Sequence, residues 1–145
     1  NGFNSITKKL FRQVKRKKLS RSKIVKKLDS VFSKYIRQRN AKNGIVECFT
    51  CGKQAHWKDN MQAGHFQSRK HYSTRWDEVN VQVQCKHCNV YKYGEQYIFG
   101  KKLDAMYGEG TANELHIKSK NIVKLSTKDL EMLIIHYKDL TNTLK

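Results

Sequence analysis

Four cysteines fall in two Cys-x2-Cys pairs, Cys48/Cys51 and Cys85/Cys88, with 33 residues between the pairs. Four thiolates so arranged complete a closed tetrahedral zinc site, and a closed site is structural rather than catalytic. The spacer exceeds the roughly 15–20 residues of a simple zinc ribbon, so a folded insert must lie inside the staple. The insert and the residues just behind it hold the other side chains suited to chemistry: His65, Arg69, His71, Asn80, Asn89 and Lys92. An imidazole exchanges a proton near neutral pH, an amide oxygen suits a hard cation, and a guanidinium makes strong, directional bonds to phosphate.

These residues need elements to position them. Asn43-Gly44 signals a turn, and Ile45-Val46-Glu47 reads as a strand leading into the first cysteine pair. Gln62-Ala63-Gly64-His65-Phe66 reads as a short strand, and Val79, Val81 and Val83 alternate with polar residues in a second one that runs into Cys85. Ile24, Val25, Leu28, Val31, Phe32, Tyr35 and Ile36 recur at steps of three and four, with Ser20 or Ser22 to cap the helix they imply. A helix through Tyr97, Ile98, Leu103, Met106 and Tyr107 should stop at Gly108. Thr111 to Glu114 and Ser126 to Asp129 both fit a capping box, the second opening an apolar series of Leu130, Leu133, Ile134 and Tyr137. Trp57, Trp76 and Tyr97 are expected to pack in the core or beside the zinc, and His56, His87, His116 and His136 have no chemical partner in the pattern.

The expected class is α+β, a mostly helical single domain. Residues 1–43 form a basic helical arm, 44–108 a zinc-stapled core, and 109–145 C-terminal helices that pack on it. Thirty Lys and Arg stand against twelve Asp and Glu in 145 residues, leaving +18. The first 39 residues hold fourteen of those bases and one acid, Asp29. A polyanion is the partner such a surface attracts, and Lys15, Arg16, Lys17, Lys18, Arg21, Lys23, Lys26, Lys27 and Lys92 are the candidate phosphate contacts. No apolar run approaches the roughly 18 residues of a membrane span, nor is there a signal-peptide core, so no membrane role and a cytoplasmic location are expected. In that compartment thiols stay reduced, which favours zinc over disulfides. The chain opens on Asn1 rather than Met, as a piece of a longer protein would.

The order Ala63-Gly64-His65-Phe66, Asn80-Val81-Gln82-Val83-Gln84, Cys85-x2-Cys88-Asn89 and Lys92 resembles the zinc-flanked HNH, or His-Me finger, nucleases, whose catalytic unit is a ββα-metal fold. More closely, Phe49-Thr50-Cys51-Gly52-Lys53, Ala63 to Phe66, Arg69-Lys70-His71 and Gln84 to Asn89, with Leu28-Asp29-x2-Phe32-Ser33-Lys34-Tyr35-Ile36 upstream, resemble the lambdoid-phage NinG (Rap) family, over about two thirds of the chain. The resemblance implies a metal-dependent endonuclease that acts on branched DNA in phage recombination, for example a Holliday junction. It assigns His65 as the base that activates water, Asn80 as the residue that orients it, and Asn89 as a ligand of a catalytic Mg2+ or Mn2+. Many HNH members carry Asp immediately before the catalytic His, where Gly64 stands here. The second metal ligand is therefore open among His71, Asp77, Glu78 and Glu95, and Arg69 is placed to contact the scissile phosphate. Competing readings are a non-catalytic zinc-knuckle DNA-binding or recombination adaptor, an RNA-binding or ribosome-associated protein, and a nuclease active only with a recombinase filament. Oligomeric state is open, a dimer included.

Overall fold

The computed structural model describes Ser5, Thr7, Lys8 and residues 18–144. Lys15, Arg16 and Lys17 lie outside the described residues. In chain order the elements from residue 18 on are α1 (Arg21–Gln38), β1 (Ile45–Glu47), β2 (Gln54–His56), β3 (Met61–His65), α2 (Tyr72–Arg75), β4 (Val81–Cys85), a π-helical turn (His87–Tyr91), α3 (Gln96–Tyr107), α4 (Thr111–Ser119) and α5 (Thr127–Asn142). No helix among the described residues is long and apolar enough to cross a membrane.

Helix α1 starts where Ser20 accepts a hydrogen bond from the Lys23 backbone N–H, and its predicted apolar face enters the core. Ile24, Leu28, Phe32 and Ile36 pack with Leu130, Ile134 and Tyr137 of α5 and with Trp76 and Val81. Arg39, which caps the helix C-terminus, donates to the carbonyls of Glu78 and Val81 and to the Gln82 side chain. Arg37 stacks over Trp57. Two of the fourteen N-terminal bases thus fasten the helix to the rest of the chain rather than meet solvent.

Two antiparallel hairpins stand beside it. β1 and β2 pair with Val46 opposite Ala55, and β3 and β4 pair from Met61↔Cys85 to His65↔Val81. The positive φ of Asn43 (51°) and Gly44 (77°) makes the expected turn before β1. β2 and α2 carried no periodic signal, being too short to show one. The alternation along β4 predicts one wet face, but all five of its residues are buried. Gln82 and Gln84 turn their amide nitrogens inward there: Gln82 donates to the Val79 carbonyl and the Tyr107 hydroxyl, and Gln84 to Thr50 Oγ1 and the Gly94 carbonyl.

Helix α3 ends at Gly108 (φ 113°), as expected. Ser126 and Asp129 form the complete capping box of α5, burying Leu130, Ile134 and Tyr137. The box expected at Thr111 does not form: Gly110 in the left-handed region (φ 93°) is the cap, and the Thr111 hydroxyl turns back to the Gly108 carbonyl.

Candidate zinc and imidazole sites

The two cysteine pairs meet because β1 delivers Cys48 and β4 delivers Cys85, and the loop behind each strand folds its second cysteine back. Their four sulfurs lie within 4.8 Å of one another. Cys51 Sγ and Cys85 Sγ are 3.7 Å apart, far beyond a disulfide bond, and all four thiols are free. A tetrahedron with Zn–S bonds of about 2.3 Å has edges of about 3.8 Å, close to the Cys51–Cys85 separation, so this donor set is consistent with a structural zinc. Burial would raise the Cys48 thiol, but backbone groups of Cys51 and Cys85 and the Thr50 hydroxyl outweigh it and hold it at about 6, ready to ionise.

His65 ends β3 with its ring mostly buried. The Arg75 backbone carbonyl lies 2.9 Å from Nε2, and a carbonyl only accepts, so Nε2 carries the proton and Nδ1 keeps its lone pair. Burial holds this imidazole below the ordinary histidine value; Arg69 and Arg75 act the same way, against the Arg75 carbonyl and Asp29. At neutral pH the ring is therefore uncharged and able to accept a proton.

The loop from Phe66 to Asn80 sets that geometry. Asn80 is fully buried and its side chain makes no hydrogen bond to His65. Its carboxamide instead accepts from the Gln67 N–H (2.7 Å) and donates to the carbonyls of Gln67 (3.1 Å) and Thr74 (2.9 Å), clamping the two limbs of the loop together. Asp77 receives the N–H groups of Val79 and Asn80 and pairs with Lys118 at 2.5 Å. Arg75, whose carbonyl holds His65, also donates from its guanidinium to the Arg69 carbonyl. The same guanidinium forms a two-pronged pair with Asp29 of α1 at 3.0 and 2.6 Å, and Trp76 Nε1 joins the same carboxylate.

His65 opens on a cleft of about 530 Å³. It is lined by Asp29, Phe32 and Ser33 of α1, Gln62 and Ala63 of β3, Arg69, and Asn89, Val90, Tyr93, Gly94 and Gln96. Asn89 donates through Nδ2 to Gln62 Oε1 at 2.8 Å, which leaves its own amide oxygen for another partner. The structure therefore brings together His65, Arg69 and Asn89. His71 lines a different depression, beside Lys70, Tyr72 and Ser119. Asp77 is engaged with Lys118, Glu78 with Arg39, and Glu95 with Lys92. None of these four lines the cleft with His65. The acid that does is Asp29, the lone acid of the basic first 39 residues, to which the sequence pattern assigns no role in the site. Its place in the run Leu28-Asp29-x2-Phe32 was the available signal, and the helical period sets it beside the buried face.

Gly64 precedes His65 because the fully buried Gln84 occupies the space a side chain would need. A β-carbon there would come within 2.7 Å of Gln84 Cδ. The Gln84 oxygen has no hydrogen-bond partner, its amide nitrogen making both bonds.

The family described as the bacteriophage lambda NinG protein matches residues 4–145. The chain belongs to the NinG family. No curated protein and no solved structure matches it. For this NinG chain the match takes in every element described above, so the cysteine cluster and the His65 cleft both fall inside the family's extent.

Proposed function

We propose that this chain is a divalent-metal-dependent DNA endonuclease of the HNH type, with His65 as general base. The observation that carries the reading is His65 itself, a neutral imidazole with Nε2 fixed to a backbone carbonyl, in a cleft it shares with Asn89 and Arg69. A hairpin, a short turn and α3 around that cleft are compatible with a ββα-metal unit. His65 Nδ1 takes a proton from water, which then attacks the phosphorus of a backbone phosphate in line with the leaving oxygen. Arg69 binds a non-bridging oxygen of that phosphate. The Arg75 carbonyl steadies the imidazolium after proton transfer, and Asn80 keeps the loop that presents Arg69 and Arg75 from shifting.

Asn89, through its free amide oxygen, and the substrate phosphate itself would hold the Mg2+ or Mn2+, which stabilises charge on the leaving oxygen when bound. The cleft is poor in anionic donors, because its carboxylate, Asp29, is committed to Arg75. That shortage supports cation binding together with DNA rather than before it. It is also the observation that favours the rival reading, an adaptor that binds DNA without cutting it.

Exposed Lys18, Arg21, Lys23, Lys26 and Lys27 lie at and along α1, the helix that brings Asp29, Phe32 and Ser33 to the cleft. Six phosphate contacts would give a log–log salt slope of roughly −5, at about −0.9 per contact. From the resemblance stated above we infer branched, recombination-derived DNA as substrate, with a recombinase filament as a candidate partner. The test is cleavage of labelled four-way junction, splayed-arm and plain duplex DNA with Mg2+ or Mn2+, by parent and His65→Ala of equal zinc content. Metal-dependent cutting that the variant loses supports the assignment; tight binding without cutting by either overturns it in favour of the adaptor.

A further inference from the structure

Directly behind the π-helical turn, three successive residues adopt left-handed backbone: Tyr93 (φ 52°), Gly94 (φ 86°) and Glu95 (φ 48°). Glycine does so freely, but Tyr93 and Glu95 carry β-carbons, and such strain persists only where surrounding structure imposes it. Here it does. The Gly94 N–H donates to the carbonyl of the zinc-cluster residue Cys88 at 2.8 Å, and its carbonyl accepts from buried Gln84 at 3.0 Å. The N–H groups of Tyr93 and Glu95 close onto Val90 and Lys92.

Packing does not repay the strain at Tyr93, whose side chain is 89% exposed. Tyr93 nevertheless helps line the cleft that holds His65, Arg69 and Asn89. Lys92 stands beside it in the chain, and Tyr97, expected to pack in the core, is 74% exposed with Lys101 Nζ 4.6 Å from its ring. An exposed aromatic on a rigid turn, at a polar cleft in a chain of charge +18, suits a ligand with both phosphates and flat π faces. Paired bases keep their faces covered by their neighbours in the stack, so the face on offer belongs to an unpaired base.

We propose that Tyr93 is a stacking post for an unpaired nucleotide, holding a single-stranded segment of DNA at the mouth of the cleft. This rests on the reading of the cleft as a DNA site and deepens it: Tyr93 would make the chain prefer DNA with unpaired bases beside the bound phosphate.

The experiment measures binding without added divalent cation, so that it reports whether or not the chain cuts. Fluorescence anisotropy gives the affinity for a plain duplex and for the same duplex carrying a short unpaired arm, and 2-aminopurine in that arm reports stacking. Tyr93→Ala should weaken binding of the armed DNA at least about fivefold, leave the duplex within about twofold, and abolish the 2-aminopurine quenching. Tyr93→Phe should retain all three properties. Equal weakening of both DNAs, no effect on either, or a Phe variant that behaves like Ala overturns the proposal. An absence of cutting by a parent protein that still quenches 2-aminopurine would sink the nuclease reading alone.

Discussion

Replacing Gly64 by alanine sets two physical effects against each other with opposite signs. In a strand without left-handed backbone, Gly→Ala lowers the entropy of the unfolded chain and stabilises by about 0.4–1 kcal/mol. Here the new methyl would lie 2.7 Å from Gln84 Cδ and 3.0 Å from Cγ, so the whole carboxamide must move and not merely its tip. Gln84 is fully buried and its Nε2 is tied to Thr50 Oγ1 and the Gly94 carbonyl, each at 3.0 Å. Giving up those two bonds costs about 1 kcal/mol each, and overpacking adds about 1–3 kcal/mol. Sterics should win, with Gly64→Ala destabilising by about 3 kcal/mol in urea unfolding of the zinc-loaded protein. Gln84→Ala removes the obstacle along with the same two bonds, so the double variant should be hardly worse than Gln84→Ala alone. The coupling between the sites should be at least about 1.5 kcal/mol. A Gly64→Ala variant as stable as the parent, or strict additivity, would refute the argument that Gln84 forces glycine before His65.

Three further outcomes are expected. Removing zinc with a chelator should release four thiols and lower hydrogen-exchange protection in both hairpins around the Val46, Cys48, Met61 and Cys85 cluster before it reaches the α1–α5 packing. Because burial lowers the His65 pKa, the acid limb of kcat/KM for the proposed cleavage should fall below pH 6.5. The linked stability has a definite sign: below about pH 6.5 the unfolded chain takes up a proton at this residue that the folded chain resists, so stability drops. His65→Gln should flatten that part of a stability-against-pH curve. Asp29→Asn keeps the shape but leaves the Arg75 guanidinium without its charge partner, the side chains being 21% and 16% exposed. It should cost about 2 kcal/mol in urea unfolding and lower kcat of the proposed cleavage through the displaced Arg75 carbonyl, with zinc content unchanged.

Much of this protein could be read along the chain. The cysteine spacing carries its own answer, because thiolate chemistry and four ligands are local properties of the sequence, and the apolar steps from Ile24 to Ile36 state which face of α1 must be buried. The strand ending at His65 and the strand entering Cys85 follow from short-range pattern and punctuation. What the tertiary structure alone decided is how distant residues share work. Asp29 reaches Arg75 across 46 positions, and Arg75 in turn fixes His65 through a backbone carbonyl that no residue type announces. Asn80 clamps its loop instead of the imidazole, and Gln84 buries an amide where alternation promised solvent, because α3 and the zinc loops cover that face of β4. Tyr97 is exposed where composition suggested a core ring, since Phe99 and Leu103 already fill the inner side of α3. Side-chain identity bounds what a residue can do, but its partners are set by which surfaces the folded chain brings into contact.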